Sequence, residues 1–88
     1  MTIKTPVDIG DSVYVIYDHY SNNVRVWEIC QGTVMDMKLN IFTDEIIVVL
    51  KVRFKDKKDN EDERIFRLDD KAFLSLDAAE RALDRFVE

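Results

Sequence analysis

The sequence predicts a mainly β, α+β domain: a small twisted antiparallel barrel of about five strands with one C-terminal helix packed on it. Three observations lead there. The stretch Glu45 to Lys55, EIIVVLKVRFK, has the β-branched content and the length of a strand. Clusters of Gly, Asn, Asp and Ser divide the rest into further short β-rich segments. Only the last dozen or so residues carry helical periodicity.

Within the first of these, Ile46, Val48, Leu50, Val52 and Phe54 fall on one side of a period-two pleat. Ile47, Val49, Lys51, Arg53 and Lys55 fall on the other, which is apolar at its start and basic at its end. Such a strand belongs inside a sheet and needs a cover over Ile47 and Val49. The C-terminal helix is the expected cover.

Bulk composition narrows the class. Eighty-eight residues make one domain, and 47% hydrophobic with 35% charged residues is too apolar for disorder. A formal net charge of −5 argues against a generic phosphate-backbone binder, although a local basic stripe can outweigh the mean. Cys30 is the only cysteine, so neither an internal disulfide nor a thiolate zinc site can be built, and a reducing compartment is expected. The N-terminal residues show no signal-peptide layout, and the longest apolar run, Ile46 to Leu50, is far too short to span a bilayer. A cytoplasmic protein with no membrane partner is the expectation.

Along the chain, Met1 to Ile9 reads as a lead-in whose Pro6 suits an edge or turn. Gly10-Asp11 launches a strand from Ser12 to Tyr17, and Asp18 to Asn23 (DHYSNN) reads as a polar loop. The next strand, about Val24 to Leu39, is too long to be straight, and Gly32 is the expected bend or bulge. Val24 and Val26 oppose Arg25, Trp27 and Ile29, and beyond the glycine Val34 opposes Thr33, Met35 and Met37. A bent strand passing between the two halves of a small barrel has this pattern. Ile41 and Phe42 are expected to tuck against the barrel end. Lys57 to Asp62 reads as a solvated hairpin loop before a strand from Glu63 to Leu68, in which either Ile65 or Phe66 faces the core. Lys71 to Leu74 suits a short last strand.

Ser75 to Val87 is the helix. Ser75 suits the N-cap, Leu74 can staple onto Ala79, and Asp77 lies where the helix dipole favours a carboxylate. Leu76, Ala79, Leu83 and Phe86, with Ala82 and Val87 beside them, form one apolar stripe. Asp77 and Arg81 make an i,i+4 pair worth about 0.3 kcal/mol. A helix this short is marginal in water and has to dock.

Catalytic constellations are missing from the pattern. One histidine excludes a histidine metal triad, and Asp18-His19 are strand-like neighbours whose side chains diverge. Cys30 sits inside a strand, where a small buried hydrophobe is the plain reading. The acidic run Asp59, Glu61, Asp62, Glu63 lacks the spaced ligands and central glycine of a calcium loop. With Gly10 and Gly32 the only glycines, no phosphate loop exists. No enzymatic activity and no cofactor is expected.

Two surfaces remain for binding. The first is basic: Lys51, Arg53 and Lys55 on one strand face, roughly 7 Å apart, with Arg64 or Arg67 across the hairpin. It would serve a small nucleic-acid-binding barrel, with Tyr20 or Trp27 stacking on bases. A solvated face paired with Glu61 and Glu63 accounts for the same residues. The second surface is aromatic: Tyr14, His19, Tyr20 and Trp27 around the first hairpin, where Trp27 serves equally well as core. With the carboxylates Asp59, Glu61 and Asp62, these make the candidate protein-binding set.

Gly10-Asp11-Ser12-Val13-Tyr14-Val15 with Gly32-Thr33-Val34 downstream resembles the opening of small SH3-like barrels. The tail from Phe73 to Leu83, FLSLDAAERAL, resembles the F-L-T-x-E-E-A-E-x-A-L ending of a loose group of small phage, prophage and mobile-element proteins of gut bacteria. Ser75 stands where that ending has threonine, and Leu76-Asp77-Ala78 departs from its x-E-E, while the capping logic is kept. The resemblance implies a small accessory protein acting in a bacterial host, of a kind whose phage-encoded neighbours include inhibitors of host defence. The combined expectation is a non-enzymatic interaction module with a protein partner, nucleic-acid binding being the alternative.

Overall fold

The computed structural model describes residues 7–56 and 58–86, in which five strands precede one helix. They are β1 (Ser12–Ser21), β2 (Val24–Ile41), β3 (Ile46–Lys55), β4 (Glu61–Arg67), β5 (Ala72–Phe73) and α1 (Leu76–Leu83). Pro6, Lys57 and Val87, given roles above, lie outside the described residues. The strands form one antiparallel sheet in the order β4-β3-β2-β1-β5. Its two edges meet at a single bridge, Leu68 to Ala72, so the ladder does not close into a continuous barrel. The physical reason is the β4–β5 connection. Asp70 and Lys71 N–H both donate to the Arg67 carbonyl, and Asp69, at φ 65°, donates to Ala72. That turn leaves β5 two residues long.

β1 runs four residues beyond the expected Tyr17 because its connection shrinks to Asn22-Asn23. Both lie at positive φ, 52° and 66°, the conformation that a two-residue hairpin turn matched to strand twist requires and that asparagine tolerates. His19 and Tyr20 are therefore strand residues opposite Val26 and Arg25, not loop residues.

β2 is shared between two partners. Residues 24–33 pair with β1, and the strand pairs with β3 from Gly32 onward. The bulge falls at Met35, between Val34 and Asp36, and not at Gly32. Its extra residue resets the alternation, so Met37 packs against the same core as Val34, instead of opposing it. Gly32 answers a different need: a Cβ there would lie 2.5 Å from Val52 Cγ1 and 2.9 Å from the Arg53 carbonyl oxygen.

β3 is internal, as its two-sided apolar pattern demands, although the middle place belongs to β2. Leu50, Val52 and Phe54 are buried on its inner face together with Val13, Val15, Tyr17, Val34 and Phe66. Pairing of Leu50 with Phe66 settles the face of β4: Phe66 is core and Ile65 is 71% exposed.

A second cluster lies on the other face of the sheet, where Ile16 and Phe73 meet Ala79 and Ala82 of α1. Tyr14, Trp27, Ile29, Leu83 and Phe86 pack around them. Ser75 is the N-cap, its Oγ accepting from Ala78 N–H at 3.2 Å, and Arg81 reaches Asp77 at 2.9 Å. The expected cover is corrected here: α1 packs on β1, β2 and β5, not over Ile47 and Val49. Leu74 and Leu76 are exposed, so neither the staple nor the first residue of the stripe is used. Ile41 and Phe42 are 67% and 57% exposed and do not tuck against the sheet. No described helix is long and apolar enough to cross a membrane.

Candidate functional site: surfaces and clefts

The aromatic residues expected together are split by the sheet. Tyr14 and Trp27 lie on the helix side, half-buried. The Trp27 ring stacks 4.8 Å from Phe86, with the Arg25 guanidinium 4.4 Å above it and Lys71 Nζ at 5.3 Å. Those contacts make Trp27 a structural wall with two cations, Arg25 and Lys71, over its ring. His19 and Tyr20 sit at the far end of β1, where Tyr20 is 71% exposed. Tyr17, His19 and Tyr20 line a cleft of about 230 Å³ with Asp56, Lys58 and Asn60. Tyr17 OH donates to Glu28 Oε2 at 3.2 Å. His19 Nε2 is 3.1 Å from the same oxygen, within ion-pair reach though poorly aligned for a hydrogen bond.

The acidic and basic candidates neutralise one another. Arg53 lies 3.3 Å from Glu61 and 3.5 Å from Glu63, Lys51 is 4.0 Å from Glu63, and Lys55 is 3.8 Å from Asp59. Arg67 is 3.8 Å from Glu45. The register explains this, because β3 and β4 set Arg53 opposite Glu63 and Lys55 opposite Glu61. The pairs of Arg53 and Lys51 are cross-strand, Lys55–Asp59 spans the β3–β4 connection and Arg67 reaches the residue before β3. All are solvated, each worth at most about 1 kcal/mol.

Asp62 belongs elsewhere. Its Oδ2 accepts from Arg64 Nε at 2.9 Å, and Arg64 Nη1 reaches the Asp18 carboxylate at 3.4 Å. Arg25 Nε donates to Asp18 Oδ2 at 2.9 Å. This chain of charges ties β4 to β1 and β2 across the gap that the ladder leaves. Burial alone would raise the Asp18 pKa, but the hydrogen bond and charge of Arg25, with help from its own backbone and Arg64, hold it below the usual carboxylate value. Arg64 was legible in part: alternation puts it on the side of Phe66, while its reach to Asp18 depends on the curl of the sheet.

Two features were not expected from the sequence. With α1 elsewhere, Ile47 and Val49 have no helix above them, and Ile65 stands exposed beside Val49. The second is a cleft of about 490 Å³ between α1 and the first half of β2, walled by Trp27, Ile29 and Leu83 and carrying Glu28, Asp56 and Glu80. Cys30 opens onto it, its Sγ donating to the Lys55 carbonyl at 2.8 Å. Burial pushes the Cys30 thiol pKa up, partly offset at the Lys55 backbone, and the Asp56 and Glu28 carboxylates push it further, which keeps it a poor nucleophile.

Comparison with protein-family models, curated proteins and solved structures gives no match. Among the described residues, no group of three His, Cys, Asp or Glu side chains is placed to hold a metal ion. What the arrangement offers chemically is contact surface: apolar side chains at one end, paired charges on one face and a cleft along a strand edge.

Proposed function

We propose that the chain is a non-enzymatic protein-interaction module on an SH3-like half-open barrel. The bent β2, shared between two halves of an antiparallel five-stranded sheet, supports the fold assignment. One observation carries the functional reading. Ile41, Phe42 and Ile46 stay solvent-exposed together at the β2–β3 hairpin, where Ile41 pairs with Ile46, although the core takes fourteen buried apolar side chains among the described residues. Grouped exposed side chains of this size mark contact surfaces. The resemblance of the chain termini adds a phage or mobile-element accessory role, with a host defence or nucleic-acid-handling protein as partner. The net charge of −5 would suit a basic groove on such a protein.

The test compares capture of partners from bacterial lysate by the wild-type chain and by a triple Ile41→Ser, Phe42→Ser, Ile46→Ser variant. A partner held by the first and lost by the second, with both melting alike, is the expected result. Equal capture by both would refute the surface. A second comparison replaces Asp59, Glu61 and Asp62 by lysine, and salt-insensitive binding that survives this change would remove the acidic-mimic reading. Nucleic-acid binding through Lys51, Arg53, Lys55 and Arg67 is weakened as an alternative by the carboxylate within 4.0 Å of each. A mobility shift at low ionic strength would revive it.

A further inference from the structure

The first half of β2 has an unused edge. Val34 N–H donates to the Asp11 carbonyl at 2.9 Å, so the even-numbered residues of this half turn their backbone groups toward β1. Arg25, Trp27 and Ile29 then turn theirs the other way. There β3 pairs with β2 from Gly32 onward, and no described strand pairs with residues 25–29 on that side. The chain leaves the sheet after Lys55, whose carbonyl is taken by Cys30 Sγ. The cleft of about 490 Å³ lies along this edge, since its lining takes side chains from both faces of β2: Trp27 and Ile29 from the helix face, Glu28 from the inner one. Leu83 and Glu80 of α1 form one wall and Asp56 the other.

We infer that this cleft receives an extended basic peptide segment of a partner protein, which adds as a strand to the free edge of β2. The inference rests on the interaction-module reading and gives it a site and a ligand chemistry. Backbone groups of Arg25, Trp27 and Ile29 supply the ladder, and the apolar wall takes alternate side chains. Charge selects the occupant. Asp56, Glu80 and Glu28, which also accepts from the Tyr17 hydroxyl, line the cleft with a single lining cation, Lys55, whose ammonium is already 3.8 Å from Asp59. Of the two cations over the Trp27 wall, Arg25 is held by Asp18 and Lys71 also lies over Phe86. A row of carboxylates repels phosphates and attracts lysine or arginine, which favours a peptide over nucleic acid. The edge is also too short, at five residues, to template a long aggregate, and the helix wall limits it to a single strand.

Trp27 is the only tryptophan and forms part of the wall, so its emission reports occupancy directly. The probe is an eight-residue peptide alternating lysine and valine. Expected are a saturable change in Trp27 emission, affinity that falls with salt, and at least tenfold weaker binding of the glutamate-for-lysine peptide. Of two lysine peptides N-methylated on alternate sets of amides, one should lose binding and the other keep it, because a strand turns only every second amide toward its neighbour. Glu80→Lys, on the solvent side of α1, should weaken binding about fivefold with an unchanged melting curve. No emission change up to millimolar peptide, or equal binding of both methylated peptides, overturns the inference. Either failure beside a partner still held through Phe42 and Ile46 removes the cleft and leaves the module reading standing.

Discussion

Gly32→Ala tests the account of how one strand serves two halves of the sheet. The added Cβ would meet Val52 Cγ1 at 2.5 Å, the Arg53 carbonyl oxygen at 2.9 Å and Phe54 Cβ at 3.2 Å. Carbon pairs rest at about 3.5–4.0 Å, so Val52 is short by roughly 1 Å. Val52 has no accessible surface and cannot swing into solvent. The carbonyl is backbone in β3, and Gly32 is paired on both sides, with Val13 and with Phe54. Relief therefore requires a shift of paired backbone, which puts the cost at the upper end of the overpacking range, about 2–3 kcal/mol. For a domain of this size that lowers Tm by about 10–20 °C.

Gly10→Ala is the control. Nothing lies within 4 Å of its added Cβ, and only the φ of 97° resists the change, at about 1 kcal/mol. Urea unfolding followed by Trp27 fluorescence and by circular dichroism measures both. Combining Gly32→Ala with Val52→Ala should cost about 1 kcal/mol less than the sum of the two singles, since truncating Val52 makes room for the new methyl. A Gly32→Ala protein within about 0.5 kcal/mol of wild type, or one more stable than Gly10→Ala, would refute the close-approach argument.

Three further outcomes are expected. Truncation after Ser75 uncovers Ile16, Phe73, Trp27 and Ile29, and the product should associate on size exclusion and melt without a cooperative step. Ser75→Ala removes the acceptor for Ala78 N–H and should cost about 1 kcal/mol, seen as a lower Tm with the helix still formed at 25 °C. Asp18 has a folded pKa below its unfolded value. Its stabilisation is complete above the unfolded pKa and is lost as pH falls through the folded one, so the stability gap between wild type and Asp18→Asn should close across that acid window in a pH series of urea midpoints.

Local chemistry was legible wherever the decision was local. The pleat of Ile46 to Phe54, the Ser75 cap and the Asp77–Arg81 pair all follow from residues within a turn or two of one another. The expected polar loop is shorter, because Glu61 and Asp62 pair with Lys55 and Phe54 and open β4. What the sequence left open was settled by pairing. Ile65 and Phe66 both suit a core, and only the register of Phe66 against Leu50 separates them. Met37 changes face because an extra residue enters at Met35, a displacement that alternation counted from Gly32 cannot include. For the basic strand face two readings stood side by side, a binding stripe and a solvated face paired with Glu61 and Glu63. The β3–β4 register supplies the partners of the second, with Arg53 set opposite Glu63 and within 3.3 Å of Glu61.

The position of the helix shows the same limit most clearly, and it is also what creates the proposed site. Ile47 and Val49 want a cover and α1 is the only helix among the described residues, so pattern alone joins them. Connectivity forbids it. Phe73 is fixed opposite Tyr14 at the outer edge of β1, and only Leu74 and Ser75 separate it from the helix. Three steps of extended chain span about 10 Å, whereas β3 lies three strands in from β5, roughly 14 Å away before the offset along the strand to Ile47 is added. An eight-residue helix covers about 12 Å, enough for Ile16 and Ile29 but not for a third strand. Burying Ala79 and Ala82 there leaves the β3 face and the hairpin tip uncovered and sets Glu80 and Leu83 beside the open edge of β2. Lengthening the β5–α1 linker by six Gly/Ser residues removes that tether. If the tether alone places the helix, Ile47 and Val49 become protected and the Trp27 environment changes. If the Ile16, Phe73 and Trp27 face is the better dock, the helix stays, Trp27 emission is unchanged and the cleft survives. The tight alanine contacts and the Trp27–Phe86 stack favour the second result.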